Sequence, residues 1–243
     1  NEILKAKMIN FKKKSYEFKK NGFTILNIFE EKKFIKLNNL IKKKIYSYSN
    51  IIKDIEKDEY PLKYYHDWCI KKKVKHDWLC LQKQRYFYPN IEISNFIKKN
   101  IIINNFLKTL NVKNYTMWDD GDGFVGFRLI RPNYNDGYPL SCKSMGLAKK
   151  VISCWMPLIG FDKTETLLLV KGSNKKKYDS YLPKSSKFEK TDLRLSKKYK
   201  LKTISFDLKP GDVIFYGPDT LHSESNPLRK HTRISLEFRY NPK

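Results

Sequence analysis

The chain has 243 residues, 40% of them hydrophobic, which is enough for one sizeable core, and all-β barrels of this length commonly run as a single domain. Its longest apolar runs, residues 101–103 and 167–170, fall far short of the roughly 20 residues that cross a bilayer, which excludes a membrane-spanning helix. The formal charge of +25 points toward a polyanion partner, but only seven of the 50 basic residues are arginine, the side chain that grips phosphate and guanine bidentately, and the lysines are scattered; a solvated lysine-rich surface is therefore expected, with nucleic acid an unlikely partner.

The predicted elements begin with a short alternating strand over residues 23–29, after the Asn21-Gly22 turn. A helix follows over residues 30–48, with Phe34, Leu37, Leu40, Ile41 and Ile45 close to the spacing of one buried face. Residues 53–90 are polar and aromatic and carry no clear period. A second helix is expected over residues 94–110, its stripe formed by Phe96, Ile97, Ile101, Phe106, Leu107 and Leu110. From Asp119 the character changes to short strands between turn clusters: residues 124–130, 150–159, 166–170, 202–208, 213–216 and 232–240. The Lys209-Pro-Gly-Asp212 and Lys171-Gly-Ser-Asn174 segments are turns, and residues 174–200 form a long polar stretch suited to a flap over a site. These elements predict an α+β protein, one domain over 1–243, in which a helical part (1–118) packs on a barrel or jelly roll (119–243). Cys69, Cys80, Cys142 and Cys154 lack metal-type spacing and a dense disulfide pattern, and no leader with a cleavage site is recognisable, so reduced thiols and a cytoplasmic location are expected.

The C-terminal stretch carries the chemistry. Pro210-Gly211-Asp212 opens a strand, Leu221-His222 follows, and Arg233 stands 11 residues beyond His222 with Ser235 two residues later, on the same strand face. This order resembles the last strands of Fe(II)/2-oxoglutarate-dependent oxygenases of the phytanoyl-CoA dioxygenase type. Phe127-Arg-Leu-Ile-Arg-Pro132, Trp155-Met-Pro-Leu158 and Val170-Lys-Gly-Ser-Asn174 extend the resemblance over the last half of the chain. It implies a double-stranded β-helix, a jelly-roll and cupin-like core, with His222 as the distal iron ligand and Arg233 and Ser235 as receptors for the far carboxylate of 2-oxoglutarate. The chemistry fits those roles: imidazole ligates ferrous iron, and a guanidinium beside a hydroxyl holds a carboxylate.

The departure from the family pattern is equally specific. The first metal-binding pair, His-x-Asp or His-x-Glu, should follow the Pro-rich loop, where the chain reads Pro139-Leu-Ser-Cys-Lys-Ser-Met145. Ser141 and Lys143 occupy the ligand positions, with Cys142 between them. A hydroxyl is a poor ferrous ligand and an ammonium repels a cation, so the triad is incomplete and Asp136 is the nearest carboxylate that could serve. The resemblance thus implies 2-oxoglutarate as cosubstrate while the replaced pair puts Fe(II) in doubt, and Lys143 could supply the positive charge of the missing metal. Two His-Asp-Trp triplets, at residues 66–68 and 76–78, are expected to be partly buried polar residues rather than metal sites, since neighbouring side chains diverge. Arg128 and Arg131 are expected to be ion-paired or solvent-facing, and Trp155 to lie in the core. Three functions follow: an oxygenase-fold protein acting on or binding a small anionic metabolite or sugar; a catalytically inactive or metal-independent homologue; and, from charge alone, a nucleic-acid-binding protein.

Overall fold

Local chemistry sets the helical boundaries at the N-terminal end. In the computed structural model the described residues are 2–46, 61–73, 86–87, 91–110, 115–117, 125–132, 136, 140, 151–163, 165–176, 178, 200–224 and 230–242. Helix α1 covers Glu2–Met8 and α2 covers Phe11–Asn21. The Asn10 side chain accepts the Lys13 N–H at 2.9 Å, capping the start of α2, and Gly22 in the left-handed conformation returns its N–H to the Phe18 carbonyl at its end. Strand β1 (Phe23–Asn27) and helix α3 (Glu31–Tyr46) follow, matching the sequence expectation closely. A 3-10 turn at Leu62–Tyr64 leads into α4 (Tyr65–Lys71), in the region that showed no period.

After strand β2 (Tyr86–Phe87), the helix expected over residues 94–110 is two helices, α5 (Ile91–Lys98) and α6 (Ile101–Thr109). Asn100 makes the break. Its side-chain oxygen accepts the N–H groups of Ile102 and Ile103 at 3.0 and 3.1 Å, starting a new helix, and its amide donates to the Ile28 carbonyl at 2.9 Å. Periodicity spans the break because both helices bury apolar residues against the same sheet.

The remaining strands are β3 (Tyr115–Met117), β4 (Val125–Ile130), β5 (Ile152–Ile159), β6 (Leu168–Leu169), β7 (Asp212–Tyr216), β8 (His222–Ser223) and β9 (Arg233–Pro242). One antiparallel sheet has the order β1-β7-β5-β9-β4-β2, with β3 also on β9, and β6 and β8 form a second, two-stranded sheet. The strand expected over residues 202–208 reduces to a single bridge, Ile204 with Leu169, since β6 is too short to pair with more. The two sheets and the helical layer make an α+β protein with a double-stranded β-helix core.

Alternation divides the large sheet into two faces. Ile234, Leu236, Phe238 and Tyr240 of β9, with Cys154 and Met156 of β5 and Phe215 of β7, pack against α3, α5 and α6 in the main apolar cluster. Between them, Arg233, Ser235 and Glu237 point the other way, toward the second sheet. Apolar residues close that inner side at one end, where Phe23, Trp155, Ile214 and Tyr216 meet Leu167 and Leu169.

Candidate functional site

His222 is placed by hydrogen bonds that reach back to the helical layer. Gly22 has φ +88°, and its carbonyl accepts both the Thr220 hydroxyl at 2.7 Å and the Gly217 N–H at 3.0 Å. A Cβ at Gly22 would lie 2.5 Å from the Thr220 hydroxyl, so only glycine permits this approach. On the other side, the Leu221 N–H donates to Ser173 Oγ at 2.8 Å and its carbonyl accepts the Val170 N–H. Ser173 belongs to the Lys171-Gly-Ser-Asn174 turn, whose Gly172 is also left-handed and donates to the Asn21 carbonyl.

The imidazole itself has one defined tautomer. Its Nδ1 lies 2.9 Å from the Thr220 carbonyl, which can only accept, so Nδ1 carries the proton and Nε2 presents a lone pair. Burial lowers the His222 pKa, keeping the ring neutral, and the Tyr216 ring packs on it with centroids 4.7 Å apart. His222 pairs across the second sheet with Leu169, whose side chain lies in the apolar cluster between the sheets, so His222 shares that inward face. Glu224, two residues on, shares it too.

Arg233 and Ser235 enter the same interior from β9, and both are fully buried. The Arg233 guanidinium lies over the Trp155 ring at 5.1 Å, and its Nη1 donates to the carbonyls of Glu165 and Thr166 at 3.3 and 3.1 Å. Glu165 also fastens the loop before β9, its carboxylate accepting the N–H groups of Lys230 and His231. His66, on α4, holds Thr232 next to Arg233: its Nδ1 lies 2.9 Å from the Thr232 hydroxyl, which also accepts the His66 N–H at 3.2 Å. His66 therefore serves the site as structure, and it also lies 3.2 Å from the carboxylate of its neighbour Asp67.

Two carboxylates that sequence reasoning missed complete this interior. Glu224 lies 2.7 Å from Nη2 of Arg128 and 3.9 Å from Nη2 of Arg233, while Glu237 lies 3.7 Å from Nη1 of Arg128. Burial pushes the Glu237 carboxyl up to about 7, reinforced by the Glu224 charge and by a hydrogen bond to Glu224, against the opposing pull of Arg128 and Arg239. The signal for both was present in the sequence as period-two spacing, Glu224 two residues after His222 and Glu237 two residues after Ser235. Arg128, paired across the sheet with Ser235, is buried and ion-paired, and Arg131 is likewise buried.

The interior donors suit a carboxylate. Ser235 Oγ and Trp155 Nε1 are buried without a hydrogen-bond partner among the described residues, each at a cost of about 1–3 kcal/mol that an accepting ligand oxygen would remove. For a metal the described residues fit poorly. No three His, Cys, Asp or Glu side chains among them converge to hold an ion. Asp136, the carboxylate expected to stand in, is committed to Arg131, which donates Nε–H to Oδ2 at 2.7 Å, Nη2–H to Oδ1 at 3.0 Å and its backbone N–H to Oδ2 at 3.0 Å. Ser141, Cys142 and Lys143, the second triplet at residues 76–78 and most of the 174–200 stretch lie outside the described residues. Cys69 and Cys154 are buried free thiols, and no helix of the described residues is long and apolar enough to cross a membrane.

No family model and no curated protein matches the sequence. Solved structures do. The non-heme alpha-ketoglutarate-dependent carbocyclase SnoK from nogalamycin biosynthesis aligns with TM-score 0.60 at 12% identity, over 97% of this chain and 85% of that one. EctD from S. alaskensis, solved with 2-oxoglutarate and 5-hydroxyectoine, aligns with TM-score 0.60 at 12% identity, over 94% and 75%. AviO1 from Streptomyces viridochromogenes Tue57 gives 0.54 at 11% identity, over 95% of each chain. The chain therefore has the jelly-roll fold that SnoK and EctD share.

Proposed function

We propose that the protein is a phytanoyl-CoA dioxygenase-like member of this fold that binds a small dicarboxylate of the 2-oxoglutarate type, or a similarly anionic metabolite or acidic sugar, without iron-dependent hydroxylation. The observation that carries it is the buried donor set of Arg233, Ser235 and Trp155, in which two donors have no hydrogen-bond partner among the described residues. Arg233 receives the far carboxylate through its guanidinium, with the Ser235 hydroxyl as second donor. His222, neutral with Nδ1 bound to the Thr220 carbonyl, provides an accepting Nε2 on the same inward face. At the inner end of the ligand, Lys143 provides the positive charge that a metal would otherwise supply, acting as a compact ammonium. Ser141 and Lys143 in the ligand positions, and Asp136 bound to Arg131, support the absence of a resident iron.

Calorimetric titration with 2-oxoglutarate and with an acidic sugar tests this reading. The wild type is expected to bind one of them, and Arg233→Met to lose at least about thirtyfold in affinity, the penalty of removing one partner from a buried charge pair. Lys143→Ala should weaken binding as well. Metal analysis of protein purified without chelator should show no stoichiometric iron, and succinate formation should not exceed that of His222→Ala. Stoichiometric iron with succinate release would overturn the proposal, and unchanged affinity in Arg233→Met would remove its central residue.

A further inference from the structure

The two oxygens of the Glu224 carboxylate face two different arginines. Oε2 lies 2.7 Å from Nη2 of Arg128, an ion-pair contact that lacks hydrogen-bond geometry, while Oε1 lies 3.9 Å from Nη2 of Arg233, beyond hydrogen-bonding distance. All three side chains are at most 4% exposed, so the contacts are shielded from solvent and weakly screened by salt. Arg233 is the residue that receives a ligand carboxylate in the reading above, on which this inference rests. A carboxylate is already there.

We propose that Glu224 is a built-in occupant of the carboxylate cradle, and that it sets ligand affinity by exchange. The uneven distances give the direction of that exchange. Glu224 stands closer to Arg128 than to Arg233, so an incoming carboxylate is received on the Arg233 side while Glu224 stays beside Arg128. The ligand then sits beside a second negative charge, a repulsion that Arg128 compensates in part. Glu224 thereby excludes weakly bound monocarboxylates and leaves the site to a ligand anchored at a second point, such as a dicarboxylate held also at its inner end. No covalent bond is made or broken, and the hydrogen bond between Glu224 and Glu237 helps keep Glu224 in place as the ligand enters. Glu224 belongs to the site by geometry alone: it is aligned with His222 by the strand period and with Arg233 by the meeting of the two sheets.

The experiment compares 2-oxoglutarate affinity by calorimetry in the wild type and in Glu224→Gln, which keeps the shape and removes the charge, alongside thermal shifts of Glu224→Ala in sodium formate against sodium chloride at equal ionic strength. We expect Glu224→Gln to bind 2-oxoglutarate about tenfold tighter or better, and formate to raise the melting temperature of Glu224→Ala but not of the wild type. Glu224→Ala that folds only with formate gives the same support, and failure to fold even with formate overturns the inference. Equal 2-oxoglutarate affinity in the wild type and Glu224→Gln also overturns it while leaving Arg233 as the ligand receptor. If neither protein binds 2-oxoglutarate yet formate stabilises Glu224→Ala, the exchangeable slot stands and the cosubstrate reading falls. No binding and no formate effect removes both.

Discussion

Glu237 sits where burial, a neighbouring carboxylate and two guanidiniums compete. It is reached by Glu224 just after β8, Arg128 from β4, Arg239 from its own strand, and Tyr216 and His222 from β7 and β8. Burial and Glu224 win, so its carboxyl holds a proton up to about 7, above the ordinary value of 4.5. A carboxyl whose folded value is raised stabilises the fold most below the unfolded value, and that contribution is lost as pH rises from about 4.5 through about 7. Glu237→Gln should therefore remove a decline in stability across that window, on the order of 1–3 kcal/mol. Chemical denaturation at several pH values measures it, and parallel pH profiles for the variant and the wild type would contradict the raised Glu237 carboxyl. The Glu224–Glu237 pair explains why Arg128 is tolerated in the interior: buried guanidinium without a carboxylate would be far more costly than the pair is beneficial.

Among the elements, the break between α5 and α6 rests on one side chain. Asn100 is fully buried, caps α6 through two N–H groups, and ties that cap to the Ile28 carbonyl at the end of β1. Asn100→Ala should cost about 2–4 kcal/mol, combining a lost cap with an unsatisfied buried carbonyl. Asn100→Ser keeps an accepting oxygen and should recover about 1 kcal/mol of that. Urea melts of both variants settle the matter, and an Asn100→Ala loss below about 1 kcal/mol would show that packing alone holds the junction. The β5–β9 pairing has a comparable pivot. Its register shifts between Pro157 and Ile159, and Gly160 follows at φ +63° with the Thr232 carbonyl so close that a Cβ would lie 2.0 Å from it. That close approach delivers Thr232, and with it Arg233, to the interior.

At the scale of the molecule, one apolar cluster runs from Ala6 through the helices to the outer face of β9, with Phe106 of α6 meeting Phe215 of β7 edge-on at 5.1 Å. We expect the 243 residues to unfold in one cooperative transition, with calorimetric and van't Hoff enthalpies in agreement. Two separate transitions would show that the helical part and the barrel fold independently. The charge of +25 acts at this scale as well, since a positive field raises the local concentration of small anions.

Most strands after residue 124 and the strand and helix of residues 23–46 were legible in the sequence because period-two and helical spacing are local properties of the chain, whereas His222, Arg233 and Ser235 were singled out only by the order of a motif the chain resembles. Periodicity could not distinguish one helix from two across Asn100, since both segments face the same sheet. It placed a strand over residues 202–208, where among the described residues the pairing reduces to one bridge, Ile204 with Leu169 of a two-residue strand. The largest omission, the pairing of Glu224 and Glu237 with Arg128 and Arg233, joins residues of β4 and β9 with Glu224, which follows β8 of the second sheet. Spacing along one strand tells which face a side chain shares, and so the sequence determined that these groups could be inward. Only the packing of one sheet over the other decided which charges meet, because the distances that fix an ion pair are set between strands and not along them.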